Sequence, residues 1–177
     1  MSITTQQSVN PPSVGYPGDP WGTSVINQGL VQGGIATGGG VRIGTWCWGI
    51  SGTNQVTQLK GANTQLGGLV IRSEANPIAW ADIPNGASMM VSDGQDVNFV
   101  RGGTFLCNVT SLNAGGAILP NDKVYIRTVD GVTVVSTTTQ TTGFYDTGWI
   151  VTNAAPGPIG YTITGTVVVI SNQQTFD

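Results

Sequence analysis

From Val41 onward the sequence is a succession of short β-branched and aromatic runs, each stopped by glycine, Asn-Gly or Asp-Gly, and that punctuation argues for a β fold. The runs are VRIGTWCWG, GGLVIRS, PIAWA, ASMMVS, QDVNFVR, TFLCNVTS, KVYIRTV, VTVVSTT, FYDTGWIVT and YTITGTVVVIS. Helical periodicity is almost absent, and the spacing predicts an all-β domain, an antiparallel β-sandwich or barrel of jelly-roll-like form. Ser92-Asp93-Gly94-Gln95 and Val129-Asp130-Gly131-Val132 predict tight type I′ hairpins, because Asp-Gly tolerates the positive φ angles such turns need. A fainter signal is repetition. Ile83-Pro84-Asn85-Gly86 and Leu119-Pro120-Asn121-Asp122 each precede a strand and an Asp-Gly turn, as a duplicated unit or ordinary turn chemistry would both produce.

The first forty residues have another texture. Prolines at 11, 12, 17 and 20 fix φ, glycines at 33, 34 and 38 to 40 loosen the chain, and no period of 2 or 3.6 is sustained. The expectation is an extended N-terminal arm over residues 1–40, with a glycine hinge, followed by a β domain over residues 41–177. One short strand is expected within residues 23–31. Asp19 is the only charged side chain of this arm, so Tyr16 and Trp21 become its candidate contacts.

Charge bounds the partners. Charged residues are 8% of the chain, against roughly 25% in ordinary globular domains. A surface so poor in ions fits one that meets protein rather than water, and equally a neutral extracellular β domain. The net charge is −3, and the six basic residues, Arg42, Lys60, Arg72, Arg101, Lys123 and Arg127, are scattered singly, so no basic patch invites nucleic acid. No apolar run approaches the ~20 residues of a membrane span, and the polar start MSITTQQSVNPPS has no secretory pattern. The expectations are synthesis in a cytoplasm, no membrane and no nucleic acid. Cys47 and Cys107 each lie in an apolar strand-like run, which favours two free buried thiols over a disulfide.

Catalytic chemistry finds little support. The absence of histidine removes the commonest general base and metal ligand and any Ser-His or Cys-His pair. Asp93 with Asp96, or Glu74 with Asp82, are the carboxylate pairs to consider, but the first pair reads better as turn and surface residues. GGIATGGG lacks the Lys-Ser or Lys-Thr of a phosphate loop, and no segment has three acids within ten residues for calcium. Asn108-Val109-Thr110 matches a glycosylation sequon inside a strand-like run, where chance is the better explanation. No catalytic residue, cofactor or metal is expected. Among Trp21, Trp46, Trp48, Trp80 and Trp149, the pair Trp46 and Trp48 stands two apart on one strand and shares a face, with Cys47 on the other. Such a pair suits a core or an intersubunit patch better than a sugar-binding face.

The order Val41-Arg42-Ile43-Gly44-Thr45-Trp46-Cys47-Trp48, Gly67-Gly68-Leu69-Val70-Ile71-Arg72, Ile83-Pro84-Asn85-Gly86 and Val97-Asn98-Phe99-Val100-Arg101-Gly102-Gly103-Thr104-Phe105 resembles the cement or decoration proteins of tailed bacteriophages. Asn121-Asp122-Lys123-Val124-Tyr125 before an Asp-Gly turn extends the resemblance, which covers residues 41 to 135. It implies a non-enzymatic virion protein, made in the host cytoplasm, on the outer surface of the capsid. Its partners would be the major capsid protein, whose subunits it bridges, and further copies of itself in a dimer or trimer. Tyr16, Trp21, Trp46 and Trp48 are the candidate interface residues. The alternative is a receptor- or carbohydrate-binding β domain of a phage fibre.

Overall fold

The computed structural model describes residues 17–20, 31–71, 90–153 and 166–172. Twelve strands lie among them: β1 (Val31–Ala36), β2 (Val41–Arg42), β3 (Trp46–Ile50), β4 (Gln55–Thr57), β5 (Thr64–Ile71), β6 (Met90–Val91), β7 (Asp96–Val100), β8 (Thr104–Ser111), β9 (Lys123–Arg127), β10 (Thr133–Ser136), β11 (Phe144–Asn153) and β12 (Thr166–Ser171). The all-β expectation holds. The strands form two closed five-stranded barrels, ordered β1-β4-β3-β5-β7 and β10-β8-β12-β11-β9, with β2 and β6 as a separate two-stranded sheet.

The barrels share one topology. Taken in chain order within each barrel, the first strand runs parallel to the third, the third is antiparallel to the second, and the second to the fourth. The fourth then pairs antiparallel with the fifth, and the fifth closes antiparallel onto the first. The same unit therefore occurs twice, but not where the sequence echo places it. Asp93-Gly94 precedes the fifth strand of the first barrel, whereas Asp130-Gly131 joins the second and third strands of the second.

Neither Asp-Gly pair makes the expected type I′ turn, since only the glycines have positive φ, 81° at Gly94 and 72° at Gly131. The aspartates keep ordinary backbone and use their side chains. Asp93 accepts hydrogen bonds from Gly39 N (3.1 Å) and Gly40 N (2.7 Å), and it links β6 and β7, which belong to different sheets. Asp130 takes Arg127 at 2.6 Å in a solvent-exposed ion pair within the β9–β10 connection. That pair contributes little to stability, because water screens it.

The 1–40 arm needs the largest correction, since β1 lies inside it and pairs antiparallel with β7 and parallel with β4. Gly33 and Gly34 are strand residues rather than a hinge. A Cβ on Gly34 would lie 2.8 Å from Val56 Cγ1 and 3.1 Å from Asn54 O, so glycine is what admits β4. Gly38, Gly39 and Gly40, all at positive φ, form a turn tied down by Asp93. Residues 17–20 are also held by the barrels. Gly18 N donates to Leu106 O (2.8 Å), Leu106 N donates to Asp19 O (2.9 Å), and Pro20 bridges antiparallel to Phe105. They occupy the side of β8 that β10 leaves open, because β10 reaches only Thr110 and Ser111. The strand expected over residues 23–31 and the run PIAWA lie outside the described residues, apart from Val31 itself.

Strand alternation then fixes the core. Cys47, Val56, Val70, Val97 and Phe99 point into the first barrel with Ala36, Val41, Ile43 and Val91. Their neighbours Trp46, Trp48, Leu69, Ile71 and Val100 point outward, and join the interior of the second barrel in a single apolar cluster. That cluster includes Phe105, Cys107, Val124, Ile126, Trp149 and Ile170. One sheet of the first barrel is thus buried on both faces, which explains its near-continuous apolar runs.

Candidate interaction groove between the barrels

Only three residues, 101–103, join β7 to β8, and they are clamped to the end of β12 and the residue that follows it. Asn172 Nδ2 donates to Arg101 O (2.7 Å), Asn172 Oδ1 accepts from Gly103 N (3.0 Å), and Ser171 Oγ donates to Gly103 O (3.0 Å). The barrels meet through Trp46, whose ring stands edge-on to Trp149 at 5.5 Å, and through Trp48, edge-on to Tyr145 at 5.0 Å. Trp46 and Trp48 are each 1% exposed. The expectation that they share a face is met, and the interface they form lies within one chain. Tyr16 and Trp21 lie outside the described residues.

Beside this seam lies a shallow groove of about 410 Å³. Its floor is Trp48 and half-buried Tyr145 and Leu66, and its rim carries Lys60 and Arg101, with no carboxylate among the described lining residues. The local fold explains the cations. β3 and β5 slip by one residue at Gly67, where a Cβ would come 2.9 Å from Cys47 Sγ, and the bulged Gly67 carbonyl accepts from Arg101 Nε at 2.8 Å. Lys60, on the β4–β5 connection, places its ammonium 5.8 Å from the Trp48 ring centre and 5.6 Å from that of Tyr145. Neither cation stands out in the sequence, because they are 41 positions apart and only the closed barrel brings them together.

A second surface feature escaped the sequence reading. The β8–β9 connection exposes Leu112 and Leu119, and is braced from beneath by two polar residues. Asn113 Nδ2 donates to Asp122 Oδ2 (2.8 Å), Leu119 N donates to the same oxygen (2.9 Å), and Asn113 Oδ1 accepts from Thr137 N (2.9 Å). Asp122 is 1% exposed, so the turn read from sequence as Pro-Asn-acid is a buried clamp under an apolar tip.

The thiols are inert by position. Cys47 and Cys107 are free and fully buried, and desolvation pushes both up to about 12. Among the described residues no three metal-binding side chains cluster. The carboxylate of Asp93 is engaged by backbone amides, and Glu74 and Asp82 lie outside the described residues.

Two fused barrels, with a cationic groove at their seam and a braced apolar loop tip, are what the described residues present to a partner. The chain belongs to the XM1 gp53 minor capsid protein family, whose profile matches residues 5–171, and it is thereby a tailed-phage capsid protein. Among solved structures it is similar to a chain of the capsid of Myoviridae Phage XM1, at 15% identity and a TM-score of 0.59, over 98% of each chain. That likeness speaks for the fold. No curated protein matches the chain.

Proposed function

We propose that this protein is a cement protein of the phage head: it docks on the outer surface of the shell, bridges neighbouring major capsid subunits, and has no enzymatic activity. The family match over residues 5–171 carries this reading. Physical features agree with it. Charged residues are 8% of the chain, ten of the twelve described strands close into barrels, and Leu112 and Leu119 project from a braced loop as an apolar contact tip. The segment before Pro17, with Tyr16, and the neighbouring Trp21 supply further contact to the shell, and copies associate as dimers or trimers.

The test is reconstitution. Heads lacking the protein are mixed with it, sedimented and imaged, and their heat release of genome is followed. Density on the outer face between subunits and a raised release temperature are expected. Density on a fibre, or none on the head, overturns the reading. A chain lacking residues 1–16 should keep its circular dichroism yet be retained less well on heads.

A further inference from the structure

We propose that the groove beside the barrel seam receives an acidic peptide segment of a neighbouring shell protein, with a carboxylate seated between Lys60 and Arg101 and an apolar side chain beside it on Leu66 and Tyr145. This rests on the capsid-docking reading and names the partner chemistry at one site of it.

Charge complementarity identifies the occupant. The chain carries −3 overall, yet this groove sets two cations against no carboxylate among its described lining residues. Arg101 uses Nε on Gly67 O, and that bond fixes the plane of a guanidinium whose other edge matches a carboxylate. Lys60 rests its ammonium against two rings, an arrangement that holds the charge at the rim while leaving its solvent side open to an anion.

The same geometry disfavours other ligands. A sugar or a nucleobase stacks on a free aromatic face. Here Trp48 is 1% exposed and packs edge-on with Tyr145 at 83°, and the Lys60 ammonium approaches both rings. What remains open is an apolar ledge and two positive charges. The groove's volume of about 410 Å³ suits a few side chains rather than a folded surface.

The experiment is an NMR titration of the full-length protein with a capped Leu-Glu-Leu-Glu peptide, its Leu-Gln-Leu-Gln counterpart, inorganic phosphate and a neutral maltose oligomer. The acidic peptide should shift the amides of Thr64, Gln65, Leu66 and Arg101 saturably, with an affinity that falls as salt rises. The other three additives should leave those amides unmoved. Lys60→Gln, a change at an exposed side chain, should weaken binding by about three- to tenfold, and Lys60→Arg should restore it. No saturable shift, an equal shift from the Gln peptide, phosphate or the sugar, or an unchanged affinity in Lys60→Gln overturns the proposal.

Retention on heads separates this proposal from the reading beneath it. If the wild-type chain and Lys60→Gln bind heads equally, the groove assignment falls and the capsid role stands. If the wild-type chain binds no heads, the capsid role falls and the acidic-partner assignment falls with it.

Discussion

At the scale of single residues, the buried thiols give the clearest pH signature. Burial raises both thiols from 9.0 to about 12, so the folded state favours the neutral form. Their contribution is complete below pH 9 and is lost as pH rises towards 12, because the unfolded chain releases these protons first. The unfolding free energy of the wild-type chain, from denaturant titration, should therefore fall more steeply across this window than that of Cys107→Ala, by up to about 1.4 kcal/mol per pH unit. Neither thiol should react with a thiol reagent until the chain unfolds. A second test concerns Gly44, at φ +76°, where an added Cβ would lie 2.6 Å from the carbonyl carbon of Pro17. Gly44→Ala should cost about 3 kcal/mol in the full chain, the sum of left-handed strain and that collision. In a chain without residues 1–20 only the backbone part, about 1–2 kcal/mol, should remain.

At the scale of elements, residues 17–20 behave as a clasp. Pro17 and Gly18 run so close to Ile43 and Gly44, by the first barrel, that a Cβ on either glycine would collide, while Gly18 and Asp19 bond to Leu106 of the second. Deleting residues 1–20 should lower stability by about 2–4 kcal/mol, through two lost backbone bonds and the uncovering of β8. Differential scanning calorimetry measures it. Deleting residues 1–32 removes β1 residues as well, so the prolines cannot be read as marking a freely detachable arm. This is where the sequence misled. Runs such as TFLCNVTS, QDVNFVR and KVYIRTV announce β8, β7 and β9 because their apolar residues cluster and their breakers fall outside. β1, VQGGIA, hides because its glycines, needed for the approach of β4, look like breakers when no partner is in view. The Lys60–Arg101 groove was invisible for a related reason: closure of a barrel is a long-range pairing that no local pattern encodes.

At the scale of the whole molecule, the barrels share one apolar cluster through Trp46, Trp48 and Trp149, and should unfold together in a single calorimetric transition. Trp46→Ala opens the seam. It should cost about 3–5 kcal/mol and split unfolding into two steps as each barrel melts on its own. If the variant still melts in one step, with the wild-type ratio of calorimetric to van't Hoff enthalpy, the seam is not what couples the halves.

Because three residues tie one barrel to its topological twin, the contact between them is intramolecular, and its effective local concentration is set by the linker rather than by the solution. Two separate subunits meeting through the same tryptophans would drift apart when particles are released into a dilute environment. Here dilution has no hold on that contact.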